Sequence, residues 1–195
     1  ATGVLPVFVG RATRGVEFFE HAEKTYETVL RLGLTTDTED ITGTVLTEAT
    51  VSVTDEQVEG ALDAFRGEIM QVPPMYSALK VNGQKLCDLA RKGKTVERQP
   101  RPITIYELQL LERGENTLRL RVRCSKGTYI RTLCKDIGEA LGCGGCMESL
   151  RRVSAGEYTI AEAVPLQELL DTGKPETYLR GVDTVFRNYP AVALT

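Results

Sequence analysis

The chain of 195 residues is 42% hydrophobic and 26% charged, carries a net charge of -3 and contains five cysteines. That length fits one domain with a sizeable core, and no apolar run approaches the roughly 18 residues of a membrane-spanning helix, so a membrane span is not expected. An odd number of cysteines in a chain of this size fits a reducing cytoplasm better than a disulfide framework.

Taken in chain order, the apolar run from Val4 to Val9 predicts a strand and Arg14 to Glu23 predicts a helix. His21, the only histidine, lies among Glu17, Glu20 and Glu23 and reads as a solvated surface side chain. Histidine acid/base chemistry and a Ser/His/Asp triad are therefore poorly supported. Tyr26 to Leu32 alternates, placing Tyr26, Thr28, Leu30 and Leu32 on one face of a strand. The acidic stretch from Thr35 to Gly43 reads as a loop. Thr54-Asp55-Glu56-Gln57 is a capping box, and Val58, Ala61, Leu62 and Phe65 form the apolar stripe of the helix it starts. Pro73-Pro74 stops regular structure and forces an extended path before Tyr76. Gln84 to Arg91 predicts a short helix, and Ile103 to Leu111 pairs with Thr117 to Arg123 across Gly114-Glu115-Asn116.

The run from Val122 to Leu133 is the strongest functional signal. An alternating strand leads to a break at Gly127, then to Tyr129 and Arg131 ahead of a helix with Leu133, Ile137, Ala140 and Leu141 at helical spacing. Flanking strand and helix hold such side chains at a cleft wall better than a free loop does. Four Lys/Arg and no acid lie between Arg123 and Lys135, a local field that attracts an anionic group. The alternative is a core tyrosine with a satisfied hydroxyl and an arginine paired to a surface acid. Cys143-Gly144-Gly145-Cys146 has the spacing of half a zinc site or a redox pair, but no second such pair and no nearby histidine completes it. Leu150 to Arg152 then precedes Gly156 and a short strand, Leu166 to Leu170 is a helical turn or two, and 182–195 reads as an exit segment. Strands and helices mixed without regular alternation predict an α+β fold, with a mixed, largely antiparallel central sheet flanked by helices.

Net charge argues against a nucleic-acid partner, but its distribution does not. Thr35 to Glu68 holds nine acids against one arginine, whereas Leu79 to Arg101 holds seven Lys/Arg against two acids. A local basic surface suffices for phosphate binding, because each neutralised phosphate releases counterions whatever the charge on the far side. The plainer reading of either run is a solvated charged face.

Five ordered blocks carry a family resemblance. They are Ala1 to Pro6 with Gly10-Arg11-Ala12-Thr13; Lys24-Thr25-Tyr26 through Arg31-Leu32-Gly33 to Thr36-Asp37-Thr38-Glu39-Asp40 and Gly43; Gln71 to Gly83; Ser125 to Leu133; and Leu150-Arg151-Arg152. Their order and spacing resemble the TruB family of tRNA pseudouridine synthases over essentially the whole chain. The resemblance implies a pseudouridine synthase catalytic domain over 1–181, with 182–195 leading toward a PUA domain that this chain lacks. It implies a cytoplasmic, monomeric isomerase acting on the T-arm of tRNA without metal, membrane or organic cofactor. Tyr26 is the position that stacks on the flipped uracil, Arg131 the one that pairs with the nucleophilic aspartate, and Tyr129 and Leu150 line the base pocket. Lys24, Lys80 and Lys126 fall in blocks that face the RNA. In the family, Ala1-Thr2-Gly3 continues from a Leu-Asp-Pro-Leu segment that carries the nucleophile, so the expectation is a fragment whose essential carboxylate stands before Ala1. Cys87 occupies a position that is usually aromatic in the family, and Cys146 departs from the family's usual residue. The rival readings are a non-catalytic RNA-binding module, a guide-RNA-dependent relative, and a metal or redox protein built on Cys143 and Cys146.

Overall fold

The computed structural model describes residues 1–186 and 190. In chain order the strands are β1 Thr2–Gly3, β2 Lys24–Leu32, β3 Leu34–Thr36, β4 Val45–Glu48, β5 Gly67–Gln71, β6 Lys80–Val81, β7 Gln84–Lys85, β8 Arg101–Arg113, β9 Thr117–Cys124, β10 Gly145–Ala155 and β11 Tyr158–Thr159. The α-helices are α1 Val16–Phe19, α2 Asp55–Ala64, α3 Leu86–Ala90, α4 Ile130–Ala140 and α5 Leu166–Asp171. A seven-stranded sheet runs in the order β1-β10-β2-β9-β8-β5, with β11 paired to β10. Only the β1–β10 pairing is parallel, which makes this the expected α+β fold. β3–β4 and β6–β7 form two small separate hairpins.

Alternation decides which face of this sheet is dry. Leu30 and Leu32 of β2, Leu118, Leu120 and Val122 of β9, and Ile105 and Leu108 of β8 are buried against Val58 and Leu62 of α2 and Ile130, Leu133 and Ile137 of α4. The opposite face carries an ion-pair ladder in which Arg121 lies between Glu27 and Glu107 and Arg123 between Glu107 and Glu23. Cross-strand pairs of opposite charge suit a solvated face and add little beyond register. Helix α2 begins as its capping box dictates: Thr54 Oγ1 accepts from the Gln57 backbone N–H, and the Gln57 side chain accepts from Thr54 N–H. Helix α4 is drawn unusually close to β10 because Gly138 has no Cβ; one added there would meet the backbone nitrogen of Gly145 at 2.4 Å.

Several boundaries differ from expectation. Val4 to Val9 is not a strand: pairing stops at Gly3, Val4 N–H reaches the Arg152 carbonyl, and Leu5, Val7 and Val9 are 60% to 72% exposed. Apolar content without a neighbouring strand does not make a ladder, and Pro6 offers no donor. The helix expected over Arg14 to Glu23 is a 3-10 turn at Gly10–Gly15 followed by the single turn α1, with the Phe19 ring held between Phe8 and Tyr158 at 5.9 and 5.7 Å. The acidic stretch opens as strand β3 before it becomes a turn, and the helix expected from Gln84 starts only after β7. The Cys143–Cys146 stretch straddles a boundary, because Gly145 begins the long strand β10 and Cys146 is buried inside it. Irregular pairing between Met147 and Ser149 and between Arg152 and Ser154 breaks the period-two pattern that would have revealed this strand. Of the exit segment 182–195, Val182–Phe186 is a 3-10 turn; 187–189 and 191–195 lie outside the described residues.

Gly138→Ala should destabilise the domain strongly, since backbone must move to admit a methyl group, whereas Gly60→Ala in α2 meets nothing within 4 Å and should stabilise by up to about 1 kcal/mol. Urea unfolding of the two variants checks this: opposite shifts in midpoint are expected.

Candidate active site

The turn between β9 and α4 is fixed before the site begins. Gly127 takes φ of +80° and lets the chain reverse, while Ser125 is tied to β8 by its N–H to the Thr104 carbonyl and by its Oγ, which accepts from Thr104 N–H. Thr128 Oγ1 donates to the Ser125 carbonyl at 3.0 Å. Tyr129 then stands as the N-cap of α4 in extended conformation, with no side-chain cap of its own. Gln71, at the end of β5, closes that gap. Its Oε1 accepts from Tyr129 N–H at 2.9 Å and its Nε2 donates to the Tyr129 carbonyl at 3.1 Å.

Arg131, in the first turn of α4, gathers two distant segments. Its Nη2 donates to the Tyr76 carbonyl at 2.7 Å and its Nη1 to the Thr38 carbonyl at 3.4 Å. Among the described residues it forms no ion pair, so the surface-acid partner of the plainer reading is not there. Thr132 Oγ1 donates to Glu39 at 2.6 Å, and the Glu39 and Ile41 backbones exchange hydrogen bonds with Met147 of β10. One turn further, burial pushes the Asp136 carboxyl up to about 6, against the pull of Lys135, with Glu139 and Glu39 adding to the rise.

Tyr26 lies on the face that α4 covers. It pairs across the sheet with Val122 on one side and Arg152 on the other, and Leu150 pairs with Thr28 on the same face. Thr28 Oγ1 donates to the Ser149 carbonyl at 2.7 Å and lies 3.8 Å from Cys134 Sγ. From that contact, Tyr26 is two residues back along the strand and Arg131 one turn back along the helix, and both steps lead toward the same end. Phenol and guanidinium therefore belong to one end of one face. Burial raises the Tyr26 pKa and keeps the phenol protonated, with the Arg152 guanidinium acting in the opposite direction. Lys24 is lowered by burial and by Arg152, and both Lys24 and Lys126 reach Glu20. Lys126 Nζ also sits 3.4 Å from His21 Nε2.

Lys80 is not part of this cluster. It stands exposed on the β6–β7 hairpin, where Lys80, Lys85, Lys92 and Asp88 line a hollow of about 360 Å³. A larger hollow of about 470 Å³ lies at the far end of β2 between Arg31, Gly33, Glu48, Val51 and Asn116, and neither Tyr26 nor Arg131 lines either one. Three thiols are poor nucleophile candidates: burial raises Cys124 to about 11, Cys134 to about 12 and Cys146 above its ordinary value. Sequence reasoning missed Gln71, Arg152 and the Glu39–Thr132 bond. Gln71 was visible only as the first residue of the Pro-Pro block, and Arg152 only as the neighbour of Leu150.

Comparison with known proteins places the chain in context. A family profile described as TruB family pseudouridylate synthase (N terminal domain) matches residues 1–130, and one described as tRNA pseudouridylate synthase B C-terminal domain matches 131–182. The chain is 50% identical to the tRNA pseudouridine synthase B of Ralstonia pickettii (strain 12J) over 100% of its own length and 63% of the relative's. It is 53% identical to that of Pseudomonas fluorescens (strain Pf0-1) over 87% of this chain and 55% of the relative. The chain thus spans between half and two thirds of the length of these relatives. Among solved structures, one of a Cbf5-Nop10-Gar1 complex aligns with a TM-score of 0.67 and 29% identity, covering 95% of this chain and 46% of that one. Another, an H/ACA RNP bound to a substrate RNA containing 2'-deoxyuridine, aligns with a TM-score of 0.63 and 25% identity over 94% and 45%.

The raised Asp136 has a definite signature. Its folded pKa exceeds the ordinary carboxylate value, so the stability it contributes is present at low pH and is lost as pH rises toward and through about 6. Asp136→Asn should therefore unfold at higher temperature than the parent near neutral pH, and the difference should close at about pH 4; thermal unfolding across that range measures it.

Proposed function

The chain belongs to the TruB family of pseudouridylate synthases, and from that we propose that it is the main part of the catalytic domain of a tRNA pseudouridine synthase acting on U55 of the T-arm. The observation that carries the reading is the placement of Arg131. It stands beside the Tyr26 face, with two donors on backbone carbonyls and no carboxylate partner among the described residues. A guanidinium has five N–H donors in a planar fork, which leaves an edge suited to a carboxylate.

Pseudouridine formation breaks the bond from ribose to uracil N1, turns the base and rejoins it through C5. The nucleotide must first leave its stack, at a cost of a few kcal/mol, and stacking on an aromatic side chain returns about 1 to 3. Tyr26 provides that surface. Its raised pKa keeps the phenol protonated, so little phenolate is present to accept a proton, which favours stacking and positioning as its role. Leu150 packs on the base, Tyr129 lines the pocket, and Lys24, Lys126 and the more distant Lys80 meet phosphates. Arg131 holds the nucleophilic aspartate ionised and aimed. The protein works as a monomer in the cytoplasm, without metal or organic cofactor.

The structural likeness to Cbf5 assemblies favours a second reading, a synthase that needs a guide RNA. Identity of about 50% to tRNA pseudouridine synthase B proteins against 29% to the chain in the Cbf5-Nop10-Gar1 complex weighs toward the first.

Tritium release from 5-tritiated tRNA distinguishes these readings. Full-length protein should release tritium from bare tRNA without any guide, and release that requires an added guide RNA would favour the second reading. In the full-length protein, Arg131→Met should lower kcat by at least about a thousandfold, because an unpaired nucleophile is neither oriented nor held charged. Retained turnover would remove Arg131 from the catalytic role.

A further inference from the structure

Strand β5 is the edge of the sheet, and the chain leaves it at Gln71. The next stretch, through Pro73-Pro74 to Leu79, has no ladder to hold it, and its two prolines bring no N–H donors. What fixes it is a set of cross-links: Arg98 Nη1 to the Pro73 carbonyl at 3.2 Å, Arg131 Nη2 to the Tyr76 carbonyl at 2.7 Å, and Cys87 N–H to the Ser77 carbonyl at 3.0 Å.

Facing this strap is the start of α4. The Tyr129 N–H precedes the helix and has no helical acceptor, while its carbonyl accepts the first helical bond, from Leu133 N–H at 3.0 Å. Gln71, only 2% exposed, meets both groups with the two ends of one planar carboxamide. Two links therefore join strap and helix start, Gln71 to Tyr129 and Arg131 to Tyr76. They close a ring whose other sides are the covalent chain from Gln71 to Tyr76 and from Tyr129 to Arg131.

We infer that Gln71 is a positioning residue of the site proposed above: its carboxamide sets the first turn of α4 against the strap and so aims Tyr129 and Arg131. Nothing else among the described residues caps Tyr129 N–H, and a buried amide with both ends bonded to one backbone unit has a single geometry. This inference rests on the proposed function for its consequence in turnover, but not for the geometry it asserts.

The full-length protein tests it with three variants. Gln71→Leu keeps the volume and removes both bonds; Gln71→Glu keeps the acceptor for Tyr129 N–H and loses the donor to its carbonyl; Thr54→Ala removes the cap of α2, outside this cluster, as a control for lost stability. Gln71→Leu should lower kcat about 10- to 100-fold with KM within about twofold of the parent, as expected when reacting groups are misplaced by about an ångström. Gln71→Glu should fall between, and Thr54→Ala should lower the unfolding midpoint while leaving kcat unchanged. Hydrogen exchange gives the independent arm: amides from Tyr129 to Leu133 should exchange at least about tenfold faster in Gln71→Leu and stay protected in Thr54→Ala. Parent-like kcat in Gln71→Leu, a loss confined to KM, or an equal kcat loss in Thr54→Ala would overturn the assignment. Should Gln71→Leu not fold, parent-like kcat in Gln71→Glu does the same. If the parent protein makes no pseudouridine, the functional proposal fails, and unchanged protection at Tyr129 to Leu133 then decides against Gln71 separately.

Discussion

The Arg131 guanidinium, hydrogen-bonded to the carbonyls of Thr38 and Tyr76, is the interaction on which the arrangement of this domain's working face depends. Those carbonyls belong to two irregular segments, neither of which could hold its place by backbone pairing alone. One is an acidic turn with Glu39 at positive φ, and the other is a proline strap beyond the sheet edge. A charged donor to a neutral carbonyl is stronger than a bond between neutral groups, and both bonds here are part-buried. The helix that carries Arg131 is in turn seated on the sheet through Leu133 and Ile137 and brought close to β10 by Gly138. Packing of an apolar stripe thus becomes the placement of a cation.

Electrostatics is arranged by face and not by net charge. The solvated side of the sheet pairs Arg121 and Arg123 with Glu27, Glu107 and Glu23, which offsets their charge on that face. Lys24 and Arg152 instead lie beside Tyr26, on the side that α4 covers, and the β6–β7 hairpin presents Lys80 and Lys85 as exposed charge. A chain of net charge -3 can therefore carry a local surface fit for phosphate. The buried thiols, raised well above neutrality at Cys124 and Cys134, behave as small apolar side chains in the core.

How much of this could be read beforehand varied with the kind of signal. The capping box at Thr54, the strand pair across Gly114-Glu115-Asn116 and the alternation of β2 each rest on contacts between near neighbours in sequence, and each appears in the structure at the expected place. Strand β10 did not announce itself, because two irregularities disturb its alternation and Glu148 and Arg151 point outward within it. The apolar run from Val4 to Val9 misled for the converse reason: hydrophobicity was present but no strand lay alongside to accept it. Tyr129 and Arg131 were legible through the glycine turn ahead of a helix. Gln71 was not, because a glutamine at a strand end looks the same whether it is solvated or clamped on a backbone unit 58 residues away.

The sequence by itself determined the class of fold, the main strands and helices, and the family to which the five motif blocks belong, because each of these rests on local periodicity, turn chemistry or fixed spacing. Only the tertiary structure decided that Tyr26, Leu150 and Arg152 share a face under α4, that Arg131 joins the Thr38 and Tyr76 segments, and that Lys80 stands apart. Those relations depend on strand order and on single hydrogen bonds between residues distant in the chain. No local pattern encodes them.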